Sequence, residues 1–203
     1  MDEALQTKLT FSSDQGIRDR LFNGWSFSLI LLLLTILWLV LSGGDTWGET
    51  NIYWPLSAEV WSRQNSQHPI DPYTLTHILH GILCYWLIML TDPKLPLNRQ
   101  FFFAIALACA WELVENSTFV IERYRMVTAS TDYIGDAVIN SFVDILACGL
   151  GFFFARSVHL ILSIGFFVAI ELITLLWIKD NLFLNVLMIV LPLDEIRRWQ
   201  LGV

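Results

Sequence analysis

The sequence predicts an all-α fold: a polytopic membrane helix bundle with about five transmembrane helices and an interfacial or re-entrant C-terminal segment. The 203 residues are 55% hydrophobic and only 15% charged, and the mean hydropathy is +0.57. The hydrophobic residues are gathered into five runs that can cross about 30 Å of hydrocarbon as helices. Residues 25–203 are therefore expected to form a single transmembrane domain, preceded by an N-terminal tail over residues 1–24.

The charge of the chain restricts its partners. The formal net charge is −7, and the 12 lysines and arginines form no basic cluster. Nucleic acid is therefore excluded as a partner, and the hydropathy indicates membrane lipid instead. The three cysteines lie within hydrophobic runs at no metal-type spacing, so we expect buried free thiols.

The first span is predicted over Trp25–Leu41, a short but leucine-rich run. The polar segment before it is long for a signal peptide, and no small-residue cleavage site follows, so a retained anchor is expected. Lys8, Arg18 and Arg20 precede this span, whereas the next loop contains only Arg63. This asymmetry predicts a cytoplasmic N-terminal tail and a periplasmic loop over residues 42–74.

The predicted periplasmic loop contains three tryptophans, Trp47, Trp54 and Trp61. Tryptophan favours the membrane–water interface, so one interpretation of the loop is interfacial anchoring. A loop of this length is also typical of a lid or a binding loop, and both interpretations stay open. Pro55 is expected to open a short helix over Leu56–Gln64.

Four further spans follow the loop. The last hydrophobic run is too short to cross the bilayer as a helix, which predicts the re-entrant or interfacial segment. The spans are predicted over Leu75–Leu90, Phe101–Val120, Ile134–Ala155 and Val158–Ile178, and the short run covers Leu182–Leu193.

Polar side chains from four spans are expected at one level of the membrane, in the half away from the N-terminus. A charged side chain at the bilayer centre costs roughly 2.5–3.5 kcal/mol, so these groups must face inward and be partnered. Asp132, Asp136, Asn140 and Asp144 follow one another at i+4 steps, which predicts one face of a helix. The other members of the set are His77, His80, Glu112, Glu115, Asn116 and Glu171.

Two kinds of chemistry fit this residue set. Imidazole and carboxylate groups are ligands for a divalent metal ion, and the predicted ligands are His77, His80, Glu112, Asp136 and Asp144. Glu112, Glu115 and Asp136 are the candidate catalytic residues, since a buried carboxylate beside a histidine suits general acid–base work. A structural network that ties the helices together is the alternative without chemistry.

Arg123 and Arg125 flank Tyr124 just beyond the third span. Two guanidinium groups at a membrane surface suit the anionic headgroup of a lipid substrate. Pairing with Glu122, Asp132 or general lipid headgroups is the other interpretation.

Several motifs together resemble an uncharacterised family of bacterial multi-pass inner-membrane proteins without an assigned function. The motifs are W-E-L-V-E-N-S, I-E-R-Y-R, D-Y-I-G-D-A-V-I-N-S-F-V-D, D-N-L-F-L-N and P-L-D-E-I-R-R-W-Q. This resemblance implies a location in the bacterial inner membrane and no particular reaction. A distant likeness to VanZ-like membrane proteins rests on Asp71–His77 and on Asp136–Asn140 followed by glycines.

The predicted function is that of an integral inner-membrane protein with an intramembrane His/Glu/Asp site that opens to the periplasmic half. One hypothesis is a metal-dependent enzyme acting on a lipid or lipid-linked substrate. The alternatives are a transporter or ion or proton pathway, and a non-enzymatic binding or scaffold subunit. The sequence leaves the choice between enzyme and non-enzyme open.

Overall fold

The computed structural model describes residues 23–48 and 55–203, and within these ranges the chain is all helical. It contains no strand there beyond a single bridge between Leu56 and Ile70. The predicted fold class is confirmed: five helices, α1, α2, α3, α5 and α6, are long and apolar enough to cross a membrane. The eight described helices are α1 (Gly24–Leu41), α2 (Pro72–Thr91), α3 (Leu97–Glu115), α4 (Thr118–Val127), α5 (Val138–Ser157), α6 (Leu160–Ile178), α7 (Leu182–Val190) and α8 (Asp194–Leu201). Nearly all of the predicted cytoplasmic tail lies outside the described residues, and the orientation of the chain stays a prediction.

Helices α2 and α5 form the centre of the bundle and pack more extensively against each other than any other pair. Glycine makes their close approach possible. A Cβ atom on Gly81 would lie 1.9 Å from the carbonyl oxygen of Cys148, and one on Gly151 would lie 1.9 Å from that of Ile78. Small residues of this kind let two transmembrane backbones touch.

Helices α1 and α6 lie on the outside of the bundle. Helix α1 packs mainly on α3, and α6 packs mainly on α2. Only 22% of the apolar window of each is buried, against 61% for α5. Their remaining surfaces carry exposed leucine and isoleucine, which suits contact with acyl chains.

The third span ends earlier than predicted. Helix α3 stops at Glu115, and the predicted continuation to Val120 belongs to the separate helix α4. The Asn116 side chain turns back to the Glu112 carbonyl, and Ser117 caps α4 through the Val120 amide. The polar pair therefore breaks the helix at the level of the acidic residues.

The fourth span begins later than predicted, at Val138 instead of Ile134. Gly135 has a φ of +96°, which a continuous helix cannot contain. The following amides also bond to other loops, since Ala137 N donates to the Ser66 carbonyl at 2.9 Å. The prediction that Asp132 and Asp136 share a helix face with Asp144 is therefore wrong, because both precede the helix.

The loop before α2 is not helical, so the short helix predicted over Leu56–Gln64 is wrong. The bridge between Leu56 and Ile70 closes this segment into a compact turn instead. The loop ends at Asp71, whose carboxylate accepts from the Thr74 amide at 3.0 Å while Thr74 Oγ1 accepts from the Asp71 amide at 3.2 Å. This capping box, with proline at the first helical position, starts α2.

The C-terminal segment stays at the end of the bundle where α6 finishes. Helix α7 has nine residues, about 14 Å of length, which is too short to cross a bilayer. Arg123 Nε donates to the Ile189 carbonyl at 3.0 Å, and Lys179 Nζ donates to the Trp199 carbonyl at 3.4 Å. These contacts support the predicted interfacial or re-entrant segment.

Candidate metal centre

The first part of the site lies between the three helices α2, α3 and α5. His77 Nδ1 lies 3.5 Å from Glu112 Oε1, and His77 Nε2 lies 3.7 Å from Asp144 Oδ2. The exposed fraction of these residues is only 5% for His77, 0% for Glu112 and 2% for Asp144. Both separations exceed a good hydrogen bond, so the three groups face one another without being bonded.

The second part of the site shares Glu112 with the first. One carboxylate oxygen from each of Glu112, Glu115 and Asp136 lies within 4.8 Å of the others, as do the ligand atoms of the first group. Asp136 is held by two neighbours: Tyr133 Oη donates to its Oδ1 at 2.6 Å, and the Asn116 side chain accepts from its amide at 2.8 Å. Asp136 therefore reaches the site from a loop with its orientation fixed.

The acidic groups lack partners of the opposite charge. Among the described residues, no lysine or arginine lies within 4.0 Å of them. Buried oxygens without a hydrogen bond are both oxygens of Glu112, Glu115 Oε2 and Asp144 Oδ1. Ser141 lies beside Glu112, but its hydroxyl meets neither oxygen at hydrogen-bonding geometry. Buried polar atoms rarely lack a hydrogen-bond partner unless an ion, a water molecule or a proton occupies that position.

The loop between α1 and α2 covers this site. Residues 65–68 are buried although all four are polar. Gln67 Nε2 donates to the Gly135 carbonyl at 2.8 Å, and Asn140 Nδ2 donates to the His68 carbonyl at 2.8 Å. Ser66 adopts a φ of +57°, an uncommon conformation for a residue other than glycine. Of the two interpretations of the loop, these contacts favour a lid.

His80 lies next to His77 but outside both groups of candidate ligands. The two imidazole rings meet edge to face, with 5.2 Å between their centroids, and the His80 ring lies 5.3 Å from that of Trp111. Both His80 and Trp111 line a cavity of about 20 Å³, room for roughly one water molecule, together with His77 and Glu115. The structure thus places His80 at the wall of the site.

Two larger openings reach the site from different directions. An apolar crevice of about 370 Å³ lies between α2 and α3, and His80 and Trp111 line both this crevice and the smaller cavity. Leu83, Leu87 and Leu107 line its outer part and face the lipid side. A separate polar pocket of about 500 Å³ is lined by Asp136, among others.

A network of tyrosines and aspartates borders the cavity. Tyr73 Oη donates to Asp180 Oδ2 at 2.9 Å and lies 3.0 Å from Tyr124 Oη. Burial raises the pKa of Asp180 to about 7, and burial raises the pKa of Tyr124 well above its ordinary value.

Burial also raises the pKa of the acidic groups that flank the site outside the spans. The pKa of Asp71 rises to about 6, through burial first and then through the nearby charge of Asp136. The pKa of Asp136 is raised as well, by burial, although hydrogen bonds from Tyr133 and Asn116 oppose the shift. A proton or a cation would therefore be held readily at this end of the bundle.

Arg123 and Arg125 turn to different partners. Arg123 Nε donates to the Ile189 carbonyl on α7 at 3.0 Å, whereas Arg125 Nε donates to the Tyr133 carbonyl in the loop before α5. Both side chains are half-buried. Their role in holding a headgroup stays a prediction, but each one also ties α4 to a neighbouring segment.

Glu171 does not join the acidic cluster. Its two carboxylate oxygens accept from the Leu182 and Phe183 amides at 3.0 and 3.3 Å, so it caps α7. Glu171 therefore lies outside both groups of candidate ligands, because its charge is used at a helix N-terminus, and its level in the membrane stays a prediction.

Sequence reasoning missed the three tyrosines of the site. Tyr73 lies four residues before His77 and therefore on the same face of α2, which is a signal that the sequence does contain. Tyr133 lies three residues before Asp136, but their contact depends on the irregular backbone around Gly135. Tyr124 lies on α4, and it borders the site only because the helix is broken between α3 and α4.

Comparison with known proteins places the chain in a bacterial family. The family described as "Protein of unknown function (DUF2585)" matches residues 39–202, which include all helices of the site. A UPF0314 protein of Brucella anthropi is 39% identical over 86% of this chain and 88% of its own length. A second UPF0314 protein, from Agrobacterium fabrum, is 37% identical over 95% of this chain and 97% of its own length. No solved structure matches the chain, and the likeness to VanZ-like proteins stays a prediction. The chain therefore belongs to the DUF2585 family of UPF0314 proteins, as the motifs predicted.

Proposed function

We propose that this protein is a metal-dependent enzyme of the bacterial inner membrane that acts on a lipid or lipid-linked substrate, with its site open to the periplasmic half. The observation that carries this proposal is the set of unpaired oxygens on Glu112 and Asp144 around His77. A single imidazole with carboxylates is a donor set that zinc, manganese and iron accept.

The carboxylates favour a cation over a purely structural network. In a structural network the buried groups satisfy one another through hydrogen bonds, as Asn116 and Asp136 do here. Glu112 and Asp144 instead face His77 across 3.5 and 3.7 Å, and both keep an unbonded oxygen. Side chains that bind one metal ion are separated from one another by similar distances, because the ion lies between them.

A bound cation would supply two kinds of chemistry at this position. Held by His77, Glu112 and Asp144, it would polarise an oxygen of the substrate and would lower the pKa of a bound water molecule. Glu115 borders the cavity with one oxygen unpaired, which suits a general base acting on such a water. Asp136 is the alternative base, because the polar pocket reaches it from outside the bundle.

The apolar crevice supports a substrate with a hydrocarbon chain. It opens between two spans, where the surrounding solvent is acyl chain, and it ends at His80 and Trp111. The same two side chains line the polar cavity. A lipid can therefore present its chain to the crevice and its polar end to the site without leaving the bilayer.

Transport fits the described residues less well than catalysis does. A proton or ion pathway needs polar groups through both halves of the membrane. The interior beyond His80 is formed instead by apolar side chains such as Ile82, Ile88 and Phe152. This asymmetry favours a pocket with one polar end.

Elemental analysis of the full-length chain, purified in detergent without chelator, tests the metal. We expect one or more equivalents of a divalent transition metal in the wild type and none after Glu112→Gln, which keeps the shape of the side chain. His80→Ala is the matched control and is expected to retain metal. Wild-type protein without stoichiometric metal would contradict the proposal.

Lipid mass spectrometry tests the enzyme. Vesicles made from the total lipid extract of the host bacterium are incubated with the metal-loaded protein, and the lipid species are compared before and after. We expect at least one species to be converted by the wild type and not by Glu112→Gln. Identical profiles for the two proteins would count against catalysis and in favour of a scaffold.

A further inference from the structure

The two groups of candidate ligands meet at one residue. Glu112 belongs to the set with His77 and Asp144 and also to the set with Glu115 and Asp136. Its side chain is fully buried, and neither carboxylate oxygen has a hydrogen-bond partner. Both oxygens are therefore free of hydrogen bonds, as a carboxylate that bridges two cations requires.

We propose that the site holds two divalent cations bridged by Glu112, and that the pair binds the phosphoryl group of a lipid. This inference rests on the proposed function and specifies its substrate class. The first cation would be held by His77 and Asp144, and the second by Glu115 and Asp136. In this arrangement Glu115 and Asp136 serve as cation ligands in place of the general-base role considered above for a single cation.

The charge of the cluster agrees with two cations. Four carboxylates come together with no lysine or arginine within 4.0 Å among the described residues. One divalent cation would leave two of these negative charges uncompensated in a buried place, which is costly. Two divalent cations balance all four.

The two positions differ in the donors they offer. The first has one imidazole nitrogen, which suits zinc, iron or manganese, while the second has carboxylate oxygens alone, which suit magnesium or manganese. Manganese satisfies both sets and is therefore the probe of choice.

The ligands of the second position are held in place by hydrogen bonds of Asn116. Asn116 donates through Nδ2 to Ser141 Oγ at 3.2 Å and to the Glu112 carbonyl at 3.1 Å. Its side-chain oxygen accepts from the Asp136 amide. Asn116 thus holds the loop carboxylate against the end of α3 and acts as a positioning residue.

The phosphoryl group follows from the cation pair and from its location. Two metal ions that share a ligand clamp the oxygens of a phosphoryl group in many phosphate-processing enzymes. Within a bilayer, the abundant ligand with that chemistry is the headgroup phosphate of a lipid. The polar pocket beside Asp136 offers room for the headgroup, and the crevice at His80 offers room for the chain.

Manganese stoichiometry tests the cation pair. The full-length protein is loaded with Mn²⁺, freed of excess metal and measured by elemental analysis and electron paramagnetic resonance. We expect two Mn²⁺ per chain with an exchange-coupled spectrum in the wild type. Glu115→Gln and Asp144→Asn are each expected to retain one Mn²⁺ with an uncoupled spectrum, and Glu112→Gln none.

Asp180→Asn is the matched control, because it removes a buried carboxylate at the same end of the bundle and is expected to keep both ions. One Mn²⁺ per wild-type chain, unchanged by Glu115→Gln, would overturn the pair and leave the proposed function intact. No Mn²⁺ in the wild type, under conditions where it also lacks any other metal, would contradict both.

Binding of phosphate separates the lipid from the free anion. The coupled Mn²⁺ spectrum is recorded with inorganic phosphate and with vesicles containing phosphatidic acid, against vesicles of phosphate-free lipid. We expect the phosphatidic acid vesicles to change the wild-type spectrum at lower phosphate concentration than the free anion, and Glu115→Gln to respond to neither. A response to inorganic phosphate alone, or to neither, would overturn the assignment to a lipid.

Discussion

The inner helices α2 and α5 and the outer helices α1 and α6 are all apolar enough to cross a membrane, yet only the inner pair supplies side chains to the site. The inner pair touches through Gly81 and Gly151 and supplies His77 and Asp144 to the site. The outer pair contributes no ligand, and most of its surface faces outward. The comparison teaches that hydropathy indicates which helices can cross the membrane, whereas buried charges indicate which helices form the candidate site.

The largest effect is expected from breaking the contact of the inner pair. In Gly151→Ala the new methyl group would meet the Ile78 carbonyl at 1.9 Å, so α2 and α5 must move apart. We expect a loss of stability at or above the upper end of roughly 1–3 kcal/mol and little folded protein in detergent, measured by size-exclusion chromatography and thermal unfolding. Gly149→Ala, where the nearest atom would lie at 3.5 Å, is the control and should fold normally. Equal behaviour of the two variants would contradict the packing described here.

The next largest effect is the difference in stability loss between truncating a buried leucine of the inner pair and truncating an exposed leucine of the outer pair. Leu79 on α2 is 0% exposed, whereas Leu176 on α6 is 83% exposed. Leu79→Ala leaves a cavity and is expected to lower the free energy of unfolding by roughly 2–5 kcal/mol. Leu176→Ala should change it by less than about 0.5 kcal/mol, because lipid fills the space. Equal losses in denaturation assays would mean that α6 is covered by protein.

Removal of metal is expected to destabilise the protein through the site between α2, α3 and α5. At a free cation concentration 100 times the dissociation constant, binding stabilises the folded state by about 2.7 kcal/mol, so chelation should lower the melting temperature of the wild type. Glu112→Gln should melt at the same temperature with and without chelator, because it no longer binds the ion. A chelator effect of the same size in both proteins would place the metal elsewhere.

The smallest effect concerns the edge of the site. Burial raises the pKa of Asp180 from 3.8 to about 7, so the carboxyl group favours folding when protonated. The stability of the wild type is therefore complete below the unfolded pKa and decreases as the pH rises towards 7. Asp180→Asn should lack the part of this decrease that Asp180 causes, because Asp71 and Asp136 still titrate, and it should gain on the order of 1 kcal/mol over the wild type at pH 8.

Unfolding measured from pH 4 to pH 8 checks this expectation. Asp92→Asn removes the same charge from an exposed position after α2 and serves as the control. A wild type and an Asp180→Asn variant whose stabilities run in parallel across this range would contradict the raised pKa.

The fold class and the level of the site could be predicted from the sequence because both follow from the cost of placing charge in hydrocarbon. The five apolar runs indicated the spans, and Glu112 inside one of them indicated an inward-facing polar group. The distinction between His77 and His80 could not be predicted, because residues three apart share a helix face. Their different roles depend on which ring meets Glu112 and which meets Trp111.

Two further errors of sequence reasoning share a cause: hydrogen bonds between segments far apart in the chain. The i+4 spacing of Asp132, Asp136, Asn140 and Asp144 is helical in the sequence, but Gly135 and the Ser66 carbonyl hold the first two outside α5. Residues 65–68 are polar and would be expected at the surface, yet they are buried over the site through bonds to Gly135 and Asn140. Such long-range pairing leaves no periodic signal.

Anomalous X-ray scattering from crystals of the full-length protein grown with Mn²⁺ tests the central claim most directly. We expect an anomalous peak enclosed by His77, Glu112 and Asp144, within about 2.0–2.3 Å of one atom from each side chain. Bound Mn²⁺ found only at other positions, with these three side chains free of metal, would contradict the account.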